Sequence, residues 1–439
     1  MHRFIAPVIV AFLTSTSLAD PPKVIKATPD NGAKDVNPNT KQITIVFDQP
    51  MNHGGRSIVG GGETFPELVG QPKWTNDRTI VIDVKLKPDH DYWLSINNQT
   101  FTNFRNTKGE SAVPYPISFS TAAAAGAAKL SPEVNRKSIE QLRKAIDDNY
   151  SYRDLRKLDW DQIFKDATAA LEKADTPSSF ARQAGEMLAA AKDIHIWLKV
   201  GDRTFPSAKR NVPGNLDLRV LPKLVPNWKS AEGGGVAIGK FDDGVTYIMI
   251  AAWSNDLAAA LDQAYSAIGG ADPKKGIIID VRANSGGDET IAQKFAGCFV
   301  SEPKVYSKNT IRHDGKWDGP FDRTVEPNTA RPSYRGPVVV LIGKYCMSSN
   351  ESFILMMKSA GAKLVGEKTY GSSGNPKPVE LENGVTVFLP SWKDMKADGT
   401  SFEGEGIAPD IEVKAAADDF KTKDPVLEAG IKELKSSAP

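Results

Sequence analysis

The fold is decided by residues 337–374, which read PVVVLIGKYCMSSNESFILMMKSAGAKLVGEKTYGSSG. The segment begins with Val338 to Ile342, a run of β-branched and aliphatic residues that predicts a buried strand. The small and polar residues Cys346 to Glu351 then predict a tight turn into a helix from about Glu351 to Ser359. A second strand is predicted for Lys363 to Val365, so the segment is an α/β unit with serines at its turn.

The serines at this turn allow two interpretations. Ser348 and Ser349 could simply cap the helix, because serine is among the preferred residues at a helix N-terminus. The same place also holds unpaired backbone N–H groups and the positive end of the helix dipole, which would stabilise an oxyanion formed at a serine nucleophile. The segment alone favours capping over catalysis.

Three blocks of sequence resemble the tail-specific (C-terminal processing) serine peptidase family and occur in the family's order. They are the strand and paired glycines at Gly276–Gly287, the serine stretch above, and the turn Glu403–Ile411, EGEGIAPDI. The resemblance covers Gly276 to Val413. It implies an α/β crotonase-like (ClpP/crotonase) peptidase domain that acts on polypeptide substrates.

The resemblance also assigns catalytic roles by position. Alignment on Glu351 places the nucleophile at Ser348. Some members use a lysine as the base, but this chain has Gly-Ser-Ser-Gly at 371–374, where that lysine would stand. Other members, similar to the tricorn protease, use histidine, and His195 in Asp-x-His lies at their position. Glu403 then matches the carboxylate that orients the imidazole.

The same resemblance also implies an alternative orienter, an alternative base and an oxyanion hole. Glu405 is the alternative orienter because it lies on the same turn as Glu403, and Lys368 is the alternative base. The backbone N–H groups of the glycine pair and of the residue after the nucleophile would form the oxyanion hole, and these residues are Gly286, Gly287 and Ser349. Paired glycines by themselves are equally consistent with a plain tight turn.

Three hypotheses for the function remain open. The first is a serine endopeptidase with the catalytic residues Ser348, His195 and Glu403. The second is a peptidase-like binding or scaffold protein with weak or lost hydrolysis, which the missing lysine and the residues Ile194 and Asn350 favour. The third is a hydrolase of non-peptide esters.

Composition and the N-terminal residues indicate the compartment. Residues 1–19 have a basic start, an apolar core and small residues before Asp20, which predicts a signal peptide cleaved near Ala19-Asp20 and a secreted or periplasmic protein. No later segment is apolar enough to span a membrane. The net charge is +1 and the pI about 7.7, so nothing global predicts a nucleic-acid or anionic membrane partner.

The chain is predicted to be multi-domain, with boundaries that follow changes in sequence period. Residues 20–121 alternate as short strands and resemble a bacterial Ig-like domain, an all-β sandwich that could bind a surface or protein partner. Residues 122–130 form an Ala-rich linker and residues 193–439 the catalytic domain. Residues 131–192 form a helical lead-in, in which helices are predicted to begin at the capping residues Ser131, Asp159 and Thr176. The segment between His195 and Gly276 is too short for the PDZ domain that many relatives carry.

The two cysteines, Cys298 and Cys346, have two possible states. In an oxidising compartment they could form a disulfide, or they could stay free as small buried residues. No His-Glu-x-x-His run, cysteine cluster or Walker loop occurs, so no metal or other cofactor is expected.

Overall fold

The computed structural model describes residues 20–98, 100–124, 126, 129–210 and 212–437. The predicted signal peptide and part of the Ala-rich linker lie outside the described residues. Two compact units are present, one ending at Lys129 and the other beginning at Leu130. Within the described ranges, no helix has the length and apolar character needed to cross a membrane.

The described part of the first unit is built of short strands. They are β1 (Val24–Thr28), β2 (Ala33–Val36), β3 (Gln42–Phe47), β4 (Ile58–Val59), β5 (Glu67–Leu68), β6 (Lys73–Trp74), β7 (Thr79–Lys85), β8 (Asp91–Ile96) and β9 (Tyr115–Thr121), with a 3-10 helix at Gly62–Thr64. One sheet has the order β1-β3-β7-β5, with β6 also paired to β7, and the other has the order β2-β9-β8-β4.

Alternation explains why these strands form a two-layer structure. In β3 every second residue is buried, and in β7 the same pattern holds, so each strand has one apolar face. These faces meet those of β8 and β9 in one core that includes Ile45, Ile80, Leu94 and Phe119. The predicted all-β sandwich is confirmed.

The second unit mixes helices and strands. Its helices are α1 (Pro132–Asn149), α2 (Trp160–Glu172), α3 (Pro177–Leu188), α4 (Leu221–Leu224), α5 (Ala258–Gly269), α6 (Glu289–Ala296), α7 (Ser349–Ser359) and α8 (Pro425–Ser437), with 3-10 helices at Ala189–Ala191, Asn255–Leu257, Gly297–Phe299 and Ala417–Lys421. Its strands are β10 (Trp197–Val200), β11 (Arg203–Pro206), β12 (Lys229–Ser230), β13 (Val236–Lys240), β14 (Thr246–Ile250), β15 (Ile277–Asp280), β16 (Lys304–His313), β17 (Lys316–Val325), β18 (Val338–Ile342), β19 (Lys363–Gly366), β20 (Pro376–Glu380), β21 (Thr386–Pro390), β22 (Trp392–Lys396) and β23 (Ile411–Glu412).

A seven-stranded sheet of order β12-β13-β14-β15-β18-β19-β23 is the centre of this unit. The pairs from β14 through to β23 are parallel, and the two pairs at the β12 edge are antiparallel. Strands β14 and β15 are buried along their whole length, as expected for parallel strands covered by helices on both faces. The carboxyl ends of β15 and β18 lead into the paired glycines and into the serine turn.

The helical lead-in starts where its caps predict. The side chains of Ser131, Asp159 and Thr176 each accept a backbone N–H in the first turn of α1, α2 and α3. The apolar faces of these helices pack on the small antiparallel sheet β11-β10-β21-β20, with Leu142, Phe180 and Val387 in one core. His195 lies in the turn that leads into β10 of this sheet, so the lead-in supports the histidine. A third sheet, β17-β16-β22, completes the unit.

A fully buried ion-pair group, here called the Arg282 cluster, joins β15 to α8. It consists of Asp280, Arg282 and Asp424. The guanidinium donates to both Asp280 oxygens at 3.0 and 2.7 Å, to both Asp424 oxygens at 2.9 and 2.8 Å, and to the Asn215 carbonyl at 2.7 Å. All five guanidinium N–H donors are therefore used.

Candidate active site

Ser348 lies at the sharp turn between β18 and α7. Its backbone has φ 56° and ψ −136°, a conformation that residues with a Cβ rarely adopt. Its side chain makes no capping hydrogen bond to α7, which removes the capping interpretation for this residue. Its backbone N–H donates to the Ser372 carbonyl at 2.8 Å, so the turn is fixed by the loop that follows β19.

His195 contacts this serine directly. Its Nε2 lies 3.1 Å from Ser348 Oγ, and its Nδ1 lies 2.8 Å from Ser372 Oγ. Burial lowers the pKa of His195 below its ordinary value of 6.5, with the Asp193 charge opposing the shift and the Arg210 charge adding to it. The imidazole is therefore favoured in its neutral form, the form that can accept a proton.

The histidine is held through its backbone as well as its ring. Asp193 Oδ1 accepts the His195 backbone N–H at 2.9 Å, and Asp193 Oδ2 accepts the Tyr150 hydroxyl at 2.9 Å. Ser207 donates from the other side to the Ile196 carbonyl at 2.7 Å. These bonds fix the short turn between α3 and β10, and thereby the direction of the ring.

Glu403, the predicted orienter, does not contact His195. It is buried, and it accepts Arg156 Nη2 at 2.8 Å and the Ser373 backbone N–H at 3.0 Å. Burial first, and then the Asp193 charge, raise the pKa of Glu403 well above its ordinary value. Ser372 lies beside His195 Nδ1 instead. Glu403 contacts the next residue of the same loop, Ser373.

Sequence reasoning used Glu351 only as an alignment marker, yet it shapes the site. Its carboxylate is fully buried and accepts the backbone N–H groups of Gly371 at 2.8 Å and Ser372 at 3.0 Å, together with the Thr369 hydroxyl. Burial raises the pKa of Glu351 to about 7, although these hydrogen bonds oppose the shift. Glu351 thus fixes the loop that presents Ser372 to His195.

A fourth buried carboxylate lies behind this loop. Asp394 accepts the Ser373 hydroxyl at 3.3 Å and Arg323 Nη1 at 3.0 Å, and burial raises the pKa of Asp394 to about 6. We refer to Asp193, Glu351, Asp394 and Glu403 together as the loop cluster.

The paired glycines pack directly against the serine turn. A Cβ on Gly286 would lie 2.9 Å from Ser348 Cβ, and a Cβ on Gly287 would lie 2.0 Å from the Trp253 carbonyl oxygen. The Gly286 N–H donates to Asn284 Oδ1 at 2.8 Å. Among the hydrogen bonds of the described residues, the N–H groups of Gly287 and Ser349 have no acceptor. Of the three predicted oxyanion donors, these two are free for a ligand.

The alternative base and the alternative orienter both lie at the surface. Lys368 and Glu405 are both exposed, and neither has a hydrogen bond to Ser348 or His195 among the described contacts. No metal-binding group of three or more His, Cys, Asp or Glu side chains occurs in the described part of the chain.

The cysteines are both free and buried, so the disulfide alternative does not occur in this structure. Cys346 donates its thiol to the Val281 carbonyl at 3.2 Å, which points its Sγ into the sheet. Burial raises the pKa of each thiol, Cys298 and Cys346, to about 12.

Two parts of the chain match known families. Residues 244–413 match peptidase family S41, and residues 19–121 match a bacterial Ig-like domain. The first match contains Gly286, Ser348, Glu351 and Glu403, whereas His195 lies before it.

Two known peptidases are similar in sequence to part of this chain. The tricorn protease of Thermoplasma acidophilum is 29% identical over 164 residues, which are 36% of this chain and 14% of that protein. The carboxy-terminal processing protease CtpA of Bacillus subtilis is 26% identical over 234 residues, 53% of this chain and 46% of that protein. The chain therefore spans less than half the length of these relatives.

A solved structure has the same fold over most of its length. The crystal structure of a candidate peptidase from Parabacteroides merdae is 25% identical, with a TM-score of 0.58, and the match covers 70% of this chain and 97% of that one. Residues 244–413 of this chain are thus similar to peptidase family S41, and residues 19–121 are similar to a bacterial Ig-like domain.

Proposed function

We propose that this protein is a secreted or periplasmic serine endopeptidase with Ser348 as nucleophile and His195 as general base. The observation that carries the proposal is the 3.1 Å distance between His195 Nε2 and Ser348 Oγ, at a serine whose side chain caps no helix. A nucleophile and a base in hydrogen-bond contact, with the base held by a third group, is the arrangement that activates a serine.

The proposed reaction is acyl transfer. Ser348 Oγ attacks the peptide carbonyl carbon while its proton passes to His195 Nε2. The resulting oxyanion accepts the backbone N–H groups of Gly287 and Ser349, and each such donor typically contributes about 3–4 kcal/mol to transition-state stabilisation. His195 then protonates the leaving amine, and water hydrolyses the acyl-enzyme by the reverse sequence of proton transfers. These steps require no metal ion or other cofactor.

Ser372 and the loop cluster have positioning roles in this mechanism. If His195 Nδ1 donates to Ser372 Oγ, then Nε2 carries the lone pair that faces Ser348, which is the tautomer a general base requires. Glu351 holds the Ser372 backbone, and Glu403 holds that of Ser373 and pairs with Arg156. Glu403 therefore acts on the histidine through the loop.

One observation favours the second candidate, a peptidase-like binding protein with weak hydrolysis. The group at His195 Nδ1 is a neutral hydroxyl, which stabilises an imidazolium less than a carboxylate does. The Ig-like domain would then supply the main binding function, toward a surface or protein partner.

Digestion of an unfolded protein by purified residues 20–439 tests the proposal. We expect cleavage, read by mass spectrometry, and covalent labelling of Ser348 by a fluorophosphonate. Ser348→Ala and His195→Ala should abolish both, whereas Lys368→Ala should leave both unchanged. Loss of activity in Lys368→Ala but not in His195→Ala would refute the assigned base. A wild type that neither cuts nor becomes labelled would favour the binding protein.

A further inference from the structure

A cavity of about 450 Å³ opens beside the proposed nucleophile. Ser348, Ser349 and Gly287 form part of its wall, and these residues are the nucleophile and the two proposed oxyanion donors. A substrate carbonyl under attack must lie against all three. The cavity therefore begins next to the scissile bond, where the side chain of a substrate residue beside that bond can enter it.

The histidine identifies which side of the scissile bond the cavity serves. Neither His195 nor Ser372 belongs to the cavity wall. Because His195 must deliver a proton to the leaving nitrogen, the leaving part of the substrate lies toward His195. The cavity thus faces the other part of the substrate, and its natural occupant is the side chain of the residue that becomes the acyl group.

The one cation in the cavity wall is already neutralised. Arg323 forms ion pairs with Glu289 and, at 3.0 Å, with Asp394. Its guanidinium also lies 4.4 Å from the centre of the Trp392 ring, so one face is covered as well. Binding of an acidic side chain here would have to compete with two carboxylates that are already in place.

The acidic side chains at the cavity outnumber this single cation. Asp288 and Glu289 both line the cavity, and Asp394 contacts Arg323 from behind. Asp288 Oδ1 accepts the Thr290 backbone N–H at 2.8 Å, while its Oδ2 takes part in none of the hydrogen bonds of the described residues. The wall therefore has an excess of negative charge and a carboxylate oxygen free to accept a donor.

Most of the remaining wall residues have hydroxyl or amide side chains, namely Thr290, Gln293, Ser352, Ser373 and Asn375. A large apolar side chain would remove these groups from water without offering them hydrogen bonds, which is unfavourable. A long side chain with a charged end could instead place its aliphatic part against Trp392 and Pro376.

We infer that this cavity selects substrates with a positively charged side chain, lysine or arginine, on the acyl side of the scissile bond. The inference rests on the proposed peptidase function. Asp288 and Glu289 are its specificity-determining residues, and large apolar and acidic side chains are disfavoured.

Peptidyl diphenyl phosphonates that differ only in the side chain next to phosphorus test this inference. Ser348 Oγ forms a bond to phosphorus and phenoxide leaves, so one covalent event is measured without turnover. We expect the lysine and arginine analogues to label wild type roughly 10- to 100-fold faster than the leucine analogue, with the glutamate analogue slowest.

Variants separate specificity from folding. Asp288→Asn keeps a residue that caps α6 and should reduce the preference for lysine over leucine by about tenfold. Glu289→Gln should raise the rate of the glutamate analogue, because Arg323 loses one partner. Asp159→Asn, a cap on α2 outside the cavity wall, is the matched control and should change no ratio.

Two failures are distinguishable. Labelling by a simple fluorophosphonate with no preference for the cationic analogues, or a preference unchanged in Asp288→Asn and Glu289→Gln, overturns this inference and leaves the peptidase proposal intact. No labelling by any probe, together with no digestion of unfolded protein, overturns both.

Discussion

The Arg282 cluster and the loop cluster are both buried and charged, but their charges are balanced differently. In the Arg282 cluster one guanidinium uses all five donors on two carboxylates and a carbonyl. In the loop cluster Asp394 and Glu403 each have an arginine partner, whereas Asp193 and Glu351 accept only uncharged donors. The first cluster therefore leaves no guanidinium donor without an acceptor.

The second cluster stands where proton transfer is proposed. Burial raises the pKa of Glu351 to about 7 and of Asp394 to about 6, whereas burial lowers the pKa of His195 below its ordinary value. The Arg282 cluster, in which every guanidinium donor is used, fixes geometry, whereas the loop cluster, whose carboxylates Glu351, Asp394 and Glu403 have raised pKa values, can also respond to pH. The following changes test this difference, from the largest expected effect to the smallest.

Arg282→Met should produce the largest loss of stability. It leaves Asp280 and Asp424 buried without a cation, and we expect the free energy of unfolding to fall by roughly 3–5 kcal/mol, measured by urea denaturation. The exposed Arg219, paired with Asp217, is the matched control, and Arg219→Met should change nothing measurable. Equal stability of the two variants would mean that the Arg282 cluster does not fix the fold.

Ser372→Ala should reduce activity with little effect on folding. It removes the hydrogen-bond partner of His195 Nδ1, and kcat/KM for peptide cleavage should fall roughly 10- to 100-fold while KM stays unchanged. Ser373→Ala is the matched control, since the Ser373 hydroxyl contacts Asp394 and not His195. Its effect on kcat should be much smaller. Equal losses in the two variants would contradict a positioning role for the Ser372 hydroxyl.

Glu351→Gln should flatten the dependence of stability on pH. Glu351 has an ordinary pKa of 4.5 and a folded-state pKa of about 7, so the folded protein binds more protons between these values. The stability contributed by protonated Glu351 is therefore complete below pH 4.5 and is lost as the pH rises through 7, with a slope of at most about 1.4 kcal/mol per pH unit.

The measurement is the difference in free energy of unfolding between wild type and Glu351→Gln, obtained by urea denaturation from about pH 4 to 8. This range spans both pKa values of Glu351. Taking the difference removes the opposite contribution of His195, whose lowered pKa favours stability at higher pH. A difference that does not vary with pH would show that Glu351 keeps an ordinary pKa in the folded protein.

The smallest effect is expected at the cysteines. Both are buried with a raised pKa, so a thiol reagent should modify neither Cys298 nor Cys346 until the protein unfolds. Reductant should leave the melting temperature unchanged. Rapid modification of Cys346 in native protein would indicate that the turn between β18 and α7 opens readily, which would weaken the contrast between the two clusters.

Local patterns were enough to predict the elements that carry the site. The apolar run Val338–Ile342 is β18, and the polar turn after it leads into α7. The helix begins at Ser349, two residues before the predicted start at Glu351. The Ser131 and Thr176 caps predicted their helices because capping depends only on neighbours in the chain. The first unit was predictable for the same reason.

Contacts between distant residues were not predictable from pattern. Ser372 is 177 residues from His195, and the pairing of β10 with β21 brings the two regions together. Resemblance pointed to Glu403 because it matches a carboxylate position, but it could not show that the neighbouring loop would come between Glu403 and the ring.

One local pattern in the sequence bears on the oxyanion donors. Asn284 stands two residues before Gly286, and an asparagine at that spacing commonly accepts the backbone N–H two residues on. This pattern predicts that the Gly286 N–H is occupied and leaves Gly287 as the donor. The buried role of Arg282 had no such signal, because its second partner, Asp424, lies 142 residues away.

The backbone of Ser348 has one further consequence. At φ 56° and ψ −136° a side chain typically costs about 1–3 kcal/mol of strain, which glycine would avoid. Folding alone would thus favour glycine over serine at this position. A mutant library sorted only for thermal tolerance should accumulate the substitution Ser348→Gly, whereas one sorted for turnover should return serine, so disagreement between two such selections would identify this residue without any substrate being known.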